Sequence, residues 1–373
     1  MRVGLDARAL ASEQISGVER YVTDLTLALA KLERGPDIIA YTDRPIGDLE
    51  IARAVSARPI RTRVLRARHG WLRAALPWRL WRDGVDLVHL PSTIIPPILP
   101  CPAVVTVHDL AWARYPEIYA AADLAMQHRA VDGAAARATR IIAVSESTAR
   151  DLRHRYPGAV DKIVVVPLGV SAEFSPEGPP LSPAAFAEAG KLEKGYILYT
   201  GGLLPRKNLL RLIAAYSKVL SEGPAPPLVL AGARTAHAEE LAAVVRELGI
   251  ERQVIFTGYV QRRDLPALYR GAGIFVYPSL YEGFGLPVLE AMASGAPVVT
   301  TNVSSMPEVV EEAAVLVDPE SVDRLAWAIS LYLTDEELCR TMVRRGLARS
   351  QEFTWEQTAR KTVEVYKLAA GAK

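Results

Sequence analysis

Short, uninterrupted apolar runs recur along the chain, and most are separated by stretches long enough for an amphipathic helix. The first half contains Val3–Leu5, Ile38–Tyr41, Leu87–Leu90, Val104–Val107, Ile141–Val144 and Ile163–Val166. The second contains Tyr196–Thr200, Leu228–Ala231, Val254–Thr257, Ile274–Tyr277, Val298–Thr300 and Val315–Val317. Continuous rather than alternating apolar residues indicate strands covered on both faces, as in parallel sheets flanked by helices. The pattern occurs twice, which predicts two doubly wound α/β domains. Between them lies 175–183, Ser-Pro-Glu-Gly-Pro-Pro-Leu-Ser-Pro, whose four prolines deny both helix and ladder hydrogen bonds. The expected division is a first domain over 1–172, a linker over 173–194, a second domain over 195–352, and a final helix over 353–373 that packs back toward the first domain. In open parallel sheets ligands bind beyond the carboxyl ends of the strands, so residues just after each run are the ones to inspect.

Composition narrows the function classes. The 373 residues suit two domains, and a net charge of +2 gives no reason to expect a nucleic-acid partner. Two distant cysteines, Cys101 and Cys339, suit a reducing compartment better than a disulfide framework. The opening Met-Arg-Val-Gly-Leu-Asp-Ala-Arg is too charged for the apolar centre of a signal peptide, and no apolar run approaches a membrane span. A cytosolic protein is expected, one that could still rest on the inner face of the cell membrane.

The segment Tyr281-Glu282-Gly283-Phe284-Gly285-Leu286-Pro287-Val288-Leu289-Glu290-Ala291-Met292-Ala293-Ser294-Gly295 follows the run Ile274–Tyr277. Its glycines allow a tight, exposed loop, Pro287 suits a helix start, and Gly295 suits its stop. The backbone N–H groups of Leu286, Val288 and Leu289 would face a ligand, and such a helix start attracts phosphate. Glu282 and Glu290 bracket it. Carboxylates beside phosphate are tolerable where they meet sugar and ribose hydroxyls; a helix cap and a surface carboxylate are the plain alternatives. A second segment, Thr200-Gly201-Gly202-Leu203-Leu204-Pro205-Arg206-Lys207-Asn208, places two cations after a strand, suited to a diphosphate. Thr257-Gly258-Tyr259-Val260 and His108-Asp109 also follow strands.

The run Glu-Gly-Phe-Gly-Leu-Pro-x-x-Glu-Ala-Met-Ala-x-Gly resembles the Glu-x7-Glu motif of retaining glycosyltransferases of the GT-B fold, particularly family 4. The resemblance implies two Rossmann-like domains about an interdomain cleft. It implies that Glu282 meets donor-sugar hydroxyls, that Gly283, Phe284 and Gly285 line the sugar pocket by backbone, and that Glu290 holds the ribose. Arg206 and Lys207 would take the donor diphosphate beside Gly201 and Gly202, and the backbone of Tyr259 and Val260 the base. His108 would touch the donor sugar near the reacting carbon, its ring oriented by Asp109. Family members often carry two glycines where this chain has Ser16-Gly17, so Gly17 alone is assigned to the donor loop. Val165–Val170 also matches, with Leu168 where Asn is usual.

The implied reaction is same-face transfer of a hexose from a nucleotide-sugar donor to a glycan or lipid-linked acceptor. Asn302–Glu308 looks like bacterial mannosyltransferases of polysaccharide assembly, which favours a mannosyl donor such as GDP-mannose; a UDP-glucose-type glucosyltransferase stays open. No Asp-x-Asp occurs, so neither metal nor other cofactor is expected. A sugar-nucleotide epimerase would need further acid/base carboxylates, and a non-catalytic sugar-binding protein would not need Glu282, Arg206, Lys207 and His108 together. Finally, 53–82 holds nine arginines, Trp71, Trp78 and Trp81, and no acidic residue. This is either a solvated helix face with packed tryptophans or a contact with anionic membrane.

Overall fold

The computed structural model describes residues 1–12, 17–47, 52, 60–67, 69–179, 192–233 and 235–371. It contains two compact units, Met1–Gly169 with Phe353–Lys373, and Val170–Glu352. Each is built on one parallel sheet with helices, the α/β arrangement of the GT-B class.

In the first unit the strands are β1 (Arg2–Asp6), β2 (Asp37–Thr42), β3 (Ile60–Val64), β4 (Leu87–Leu90), β5 (Ala103–Val107), β6 (Arg140–Ala143) and β7 (Ile163–Val165), ordered β3-β2-β1-β4-β5-β6-β7. In the second they are β8 (Tyr196–Thr200), β9 (Leu228–Ala231), β10 (Val254–Gly258), β11 (Ala272–Tyr277), β12 (Val298–Thr301) and β13 (Val315–Val317), ordered β10-β9-β8-β11-β12-β13. Strands β4, β5, β8, β9 and β12 are buried along their whole length, which is why they read as unbroken apolar runs. Strand order reverses between β1 and β4 and between β8 and β11. The loops there diverge to opposite faces and leave a crevice beyond the strand ends.

No apolar run marks strand β3. Only Ile60 in it is buried; Arg61, Thr62, Arg63 and Val64 are exposed, as an edge position permits. The basic stretch is therefore not one helix face. Arg61 and Arg2 meet Asp37 (2.7 and 3.1 Å), and Arg63 and Arg79 meet Asp83 (3.5 and 2.9 Å).

The final helix, Trp355–Ala370, joins the first unit. It buries Trp355, Thr358, Ala359, Thr362, Val363, Val365, Tyr366 and Ala369. Its first turn lies so close to Gly169 that a Cβ there would stand 2.2 Å from the Trp355 nitrogen. Residues 173–179, expected as a linker, are packed onto the second unit. Phe174 lies edge-on to Tyr269, Glu173 pairs with Arg262 at 2.9 Å, and Arg270 donates to the Pro179 carbonyl at 2.7 Å. Residues 180–191 of the expected linker fall outside the described residues.

Candidate active site

In the second unit the crevice between β8 and β11 gathers the two segments singled out above. After β8, Gly201 and Gly202 lead into a short 3-10 turn, Pro205–Lys207. Asn208 ends the turn in a left-handed conformation, and its amide donates to the carbonyls of Pro278 (3.1 Å) and Pro319 (2.7 Å). Leu280 N–H donates to the Arg206 carbonyl at 2.9 Å, and Arg206 Nη1 donates to the Tyr281 carbonyl at 3.1 Å. The loop after β8 and the loop after β11 are thus fixed to each other.

That attachment forms an ion cluster. Glu282 Oε1 accepts from Arg206 Nη1 at 3.0 Å and, in a very short contact, from Lys207 Nζ. Lys207 also donates to Tyr277 Oη at 2.5 Å and lies 4.8 Å above its ring centre. Lys207 and Glu282 are 6% and 7% exposed. Burial alone would raise the Glu282 pKa, but Lys207 and Arg206 overcome it and lower it to about 2. The carboxylate is therefore ionised throughout the neutral range. The family resemblance implies separate tasks, Glu282 for the sugar and Arg206 and Lys207 for the diphosphate; here the three are one cluster.

The loop itself is buried rather than exposed: Tyr281, Glu282, Phe284 and Leu286 each keep less than a tenth of their surface. Ser304 and Ser305, not picked out beforehand as site residues, hold it. Ser304 Oγ accepts from Glu282 N–H at 3.0 Å, and Ser305 Oγ lies 2.9 Å from the carbonyls of both Glu282 and Phe284. Gly285 takes φ +105°, and a side chain there would also strike Met306. It opens the helix Leu286–Ala293, with Pro287 in the first turn and Gly295 at φ +80° just past the end. The N–H groups of Val288 and Leu289 do not face outward as expected. Both turn to the Gly285 carbonyl, at 3.0 and 3.3 Å, because that oxygen opens the helical ladder.

Glu290 is 2% exposed. Its Oε2 accepts from Tyr269 Oη at 2.9 Å, and that hydroxyl is 2.6 Å from Thr200 Oγ1, so Glu290 is tied to the end of β8. Tyr259 is half-exposed and Val260 buried, directly after β10.

The first unit repeats the arrangement beyond β1 and β4. A cleft of about 560 Å³ there is lined by residues including Asp6, Arg8, Glu19, Asp43, Arg44 and Ser92. Arg8 grips Asp6 through Nε (2.9 Å) and Nη2 (2.7 Å) and lies 4.3 Å above the centre of the Trp71 ring. Gly17 begins the helix Gly17–Lys31, with open space where a Cβ would be; Ser16 lies outside the described residues.

His108 follows β5 and is partly buried. Burial pushes its pKa below the ordinary value, against the Pro91 carbonyl, Asp109 and Glu19, so the neutral ring is favoured. Nε2 lies 2.9 Å from the Pro91 carbonyl and must carry the proton there, which leaves Nδ1 as an acceptor. Asp109 does not orient the ring as expected. Its Oδ1 accepts from Ala111 N–H at 3.0 Å and starts a short helix instead, and Tyr21 stands edge-on to the imidazole at 4.9 Å.

In the basic stretch, Trp71 is buried, whereas Trp78 and Trp81 are 53% and 70% exposed on the helix Leu76–Asp83. Residues 53–59 and Arg68 lie outside the described residues. Among those described, no helix is long and apolar enough to cross a membrane, and no three His, Cys, Asp or Glu residues are grouped to hold a metal ion. Neither cysteine is in a disulfide.

Two parallel α/β units, one with a glycine-rich crevice holding two cations and two carboxylates, define a glycosyltransferase. The model for glycosyl transferases group 1 matches residues 183–349, and that for glycosyltransferase family 4 matches residues 15–174. The O-antigen chain mannosyltransferase B of Escherichia coli is 35% identical over 293 residues, 78% of this chain and 76% of that one. The chain belongs to family 4 of the glycosyltransferases. Among solved structures, sucrose-phosphate synthase from Thermosynechococcus elongatus superposes with TM-score 0.77 at 23% identity, covering all of both chains. Anabaena HepE in complex with UDP and glucose superposes with TM-score 0.74 at 21% identity, covering 98% of this chain and 99% of that one. Both likenesses bear on the fold.

Proposed function

We propose that the chain transfers a mannosyl residue, with retention at the anomeric carbon, from a nucleoside diphosphate sugar to a growing polysaccharide or lipid-linked glycan, without a divalent metal. The carrying observation is the buried Arg206–Lys207–Glu282 cluster beside the Gly283–Gly285 turn. Two cations and one carboxylate leave one net positive charge, and the start of the helix Leu286–Ala293 adds its partial positive end. A donor diphosphate answers that excess. Entering the crevice, it draws Arg206 and Lys207 toward its oxygens and releases Glu282 to accept from sugar hydroxyls. As the bond to the sugar breaks, charge grows on the leaving phosphate, where fixed cations stabilise it. Glu290, already aligned by Tyr269, accepts from the ribose, and the backbone at Tyr259 and Val260 meets the base. Nδ1 of His108 accepts from a hydroxyl of the transferred sugar, and the cleft by Asp6 and Arg8 takes the acceptor. The mannosyl assignment is supported by the likeness to the Escherichia coli mannosyltransferase.

The deciding experiment incubates the protein and a mannose-terminated acceptor with GDP-mannose, UDP-glucose or UDP-galactose, in EDTA and in magnesium, and reads the product anomer by NMR. An α-mannoside formed from GDP-mannose in EDTA is expected. Transfer from UDP-glucose alone would overturn the donor, a β-product the stereochemistry, and loss of activity in EDTA restored by magnesium the metal-free stabilisation.

A second proposal has its own observation. Trp78, Trp81 and Arg82 are exposed at helical spacing on one short helix, which suits an anionic lipid surface.

A further inference from the structure

Behind His108 runs a chain of buried polar groups that the reaction proposed above does not use. His89, on β4, is fully buried. Its Nδ1 lies 2.8 Å from Tyr366 Oη on the final helix, and its Nε2 lies 2.8 Å from Thr106 Oγ1 on β5. Thr106 Oγ1 is also 3.0 Å from Tyr21 Oη, on the helix Gly17–Lys31. Tyr21, likewise without exposed surface, closes the chain by setting its ring edge against His108. Thr106 and His108 are two apart at the end of β5, so both side chains emerge on the face Tyr21 covers.

A histidine in an apolar core is expensive unless both ring nitrogens are bonded. Here both are, and burial drives the His89 pKa down to about 3, with His108 acting in the same direction. A permanently neutral imidazole offers one donor and one acceptor on opposite sides, so in either tautomer it donates to one of the Tyr366 and Thr106 hydroxyls, accepts from the other, and holds both in place. The apolar solution, a leucine between strand and helix, would pack as well but would leave the Tyr21 and Thr106 hydroxyls free to rotate.

We infer that His89 is a positioning residue: through Thr106 and Tyr21 it fixes the ring of His108, and through Tyr366 it makes that ring depend on the docking of the final helix. The catalytic part of this inference rests on the role proposed for His108; the positioning part does not. The experiment therefore reads both. In Tyr21→Phe and Tyr366→Phe each ring stays and one hydroxyl goes, so the fold should persist where His89→Leu could fail. The His108 titration followed by imidazole NMR should shift upward in Tyr21→Phe, as water reaches a ring no longer clamped. In both variants kcat should fall about three- to tenfold, the scale of one lost hydrogen bond, with donor KM little changed. His89→Gln, which can still bridge Thr106 and Tyr366, should recover part of the loss relative to His89→Leu. An unshifted His108 titration in Tyr21→Phe would overturn the positioning role. A shifted titration with unchanged kcat would leave the network intact and overturn the role given to His108.

Discussion

Glu282 is a carboxylate held between two cations and away from water, which sets what each of the three can do. Removing Glu282 leaves two neighbouring cations without a counter-charge, whereas removing either cation leaves a neutral pair. Lys207→Met should destabilise the second unit by about 1.5–3 kcal/mol, because Glu282 keeps Arg206 as its counter-charge but loses one charge-assisted hydrogen bond. Differential scanning calorimetry against the wild type checks it. Glu282→Gln acts oppositely on nucleotide binding. If Glu282 competes with a diphosphate for Arg206 and Lys207, the glutamine variant should bind nucleoside diphosphate several-fold more tightly, while turnover falls about a hundredfold or more. Calorimetric titration that found weaker binding would place the diphosphate elsewhere. The pH dependence has a definite sign. The folded pKa of Glu282 is depressed to about 2, so its ion-pair contribution is complete above the ordinary carboxylate value of 4.5 and is lost as pH falls toward 2. Urea denaturation should show the stability gap between wild type and Glu282→Gln narrowing between pH 5 and about 2; a constant gap would mean that the pair does not titrate.

At the scale of elements, the runs fully buried on both faces were legible because parallel strands need no alternation and hide little else. Strand β3 was not. Its Ile60-Arg61-Thr62-Arg63-Val64 presents one buried residue to the core, and the arginines around it carried the reading to a helix face or a membrane. An edge strand is specified by pairing with β2 and by carboxylates distant in sequence, Asp37 and Asp83, which no local pattern displays. The site divides likewise. Glu282, Arg206, Lys207 and Glu290 stood out because charged residues after apolar strands are costly without a task. Their direct pairing did not, because it depends on how Asn208 and Leu280 join two loops some 70 residues apart. Ser304 and Ser305 serve through backbone contacts that any hydroxyl could make. The network from Tyr366 to Tyr21 spans four elements and leaves no spacing signal at all. The docking of the final helix is testable here. A Cβ on Gly169 would overlap the backbone of Thr354 and Trp355, at 2.4 and 2.2 Å. Backbone cannot rotate away as a side chain can, so Gly169→Ala should displace the helix start and destabilise the first unit by about 1–3 kcal/mol. A lower melting temperature with fresh protease sensitivity near residue 353 is expected; unchanged melting would mean that the contact relaxes freely.

For the molecule as a whole, a net charge of +2 says little, because the charge is unevenly paired. Arg61, Arg63 and Arg79 are matched by Asp37 and Asp83. Among the described residues, Arg66, Arg73 and Arg82 have no carboxylate partner, and all three are exposed. Arg82 lies 5.2 Å from the centre of the Trp78 ring, so an exposed cation and an exposed indole share the helix Leu76–Asp83. A tryptophan left more than half in water loses the burial its ring could gain, and headgroups of anionic lipid would supply both that burial and the counter-charge. Each basic residue near such a surface contributes about 1 kcal/mol, so replacing Arg66, Arg73 and Arg82 with Gln should weaken partitioning into phosphatidylglycerol vesicles about a hundredfold. The attraction extends only about 8–10 Å at physiological ionic strength, so wild-type binding should decline steeply as salt rises. Trp78→Ala with Trp81→Ala should weaken binding even at low salt, since insertion of the indoles does not depend on screening. Neutral phosphatidylcholine vesicles should retain little of either protein. A flotation assay in which the wild type stays with the aqueous phase at low salt, or in which the arginine variant floats as well as the wild type, would return this helix to the role of a solvated face.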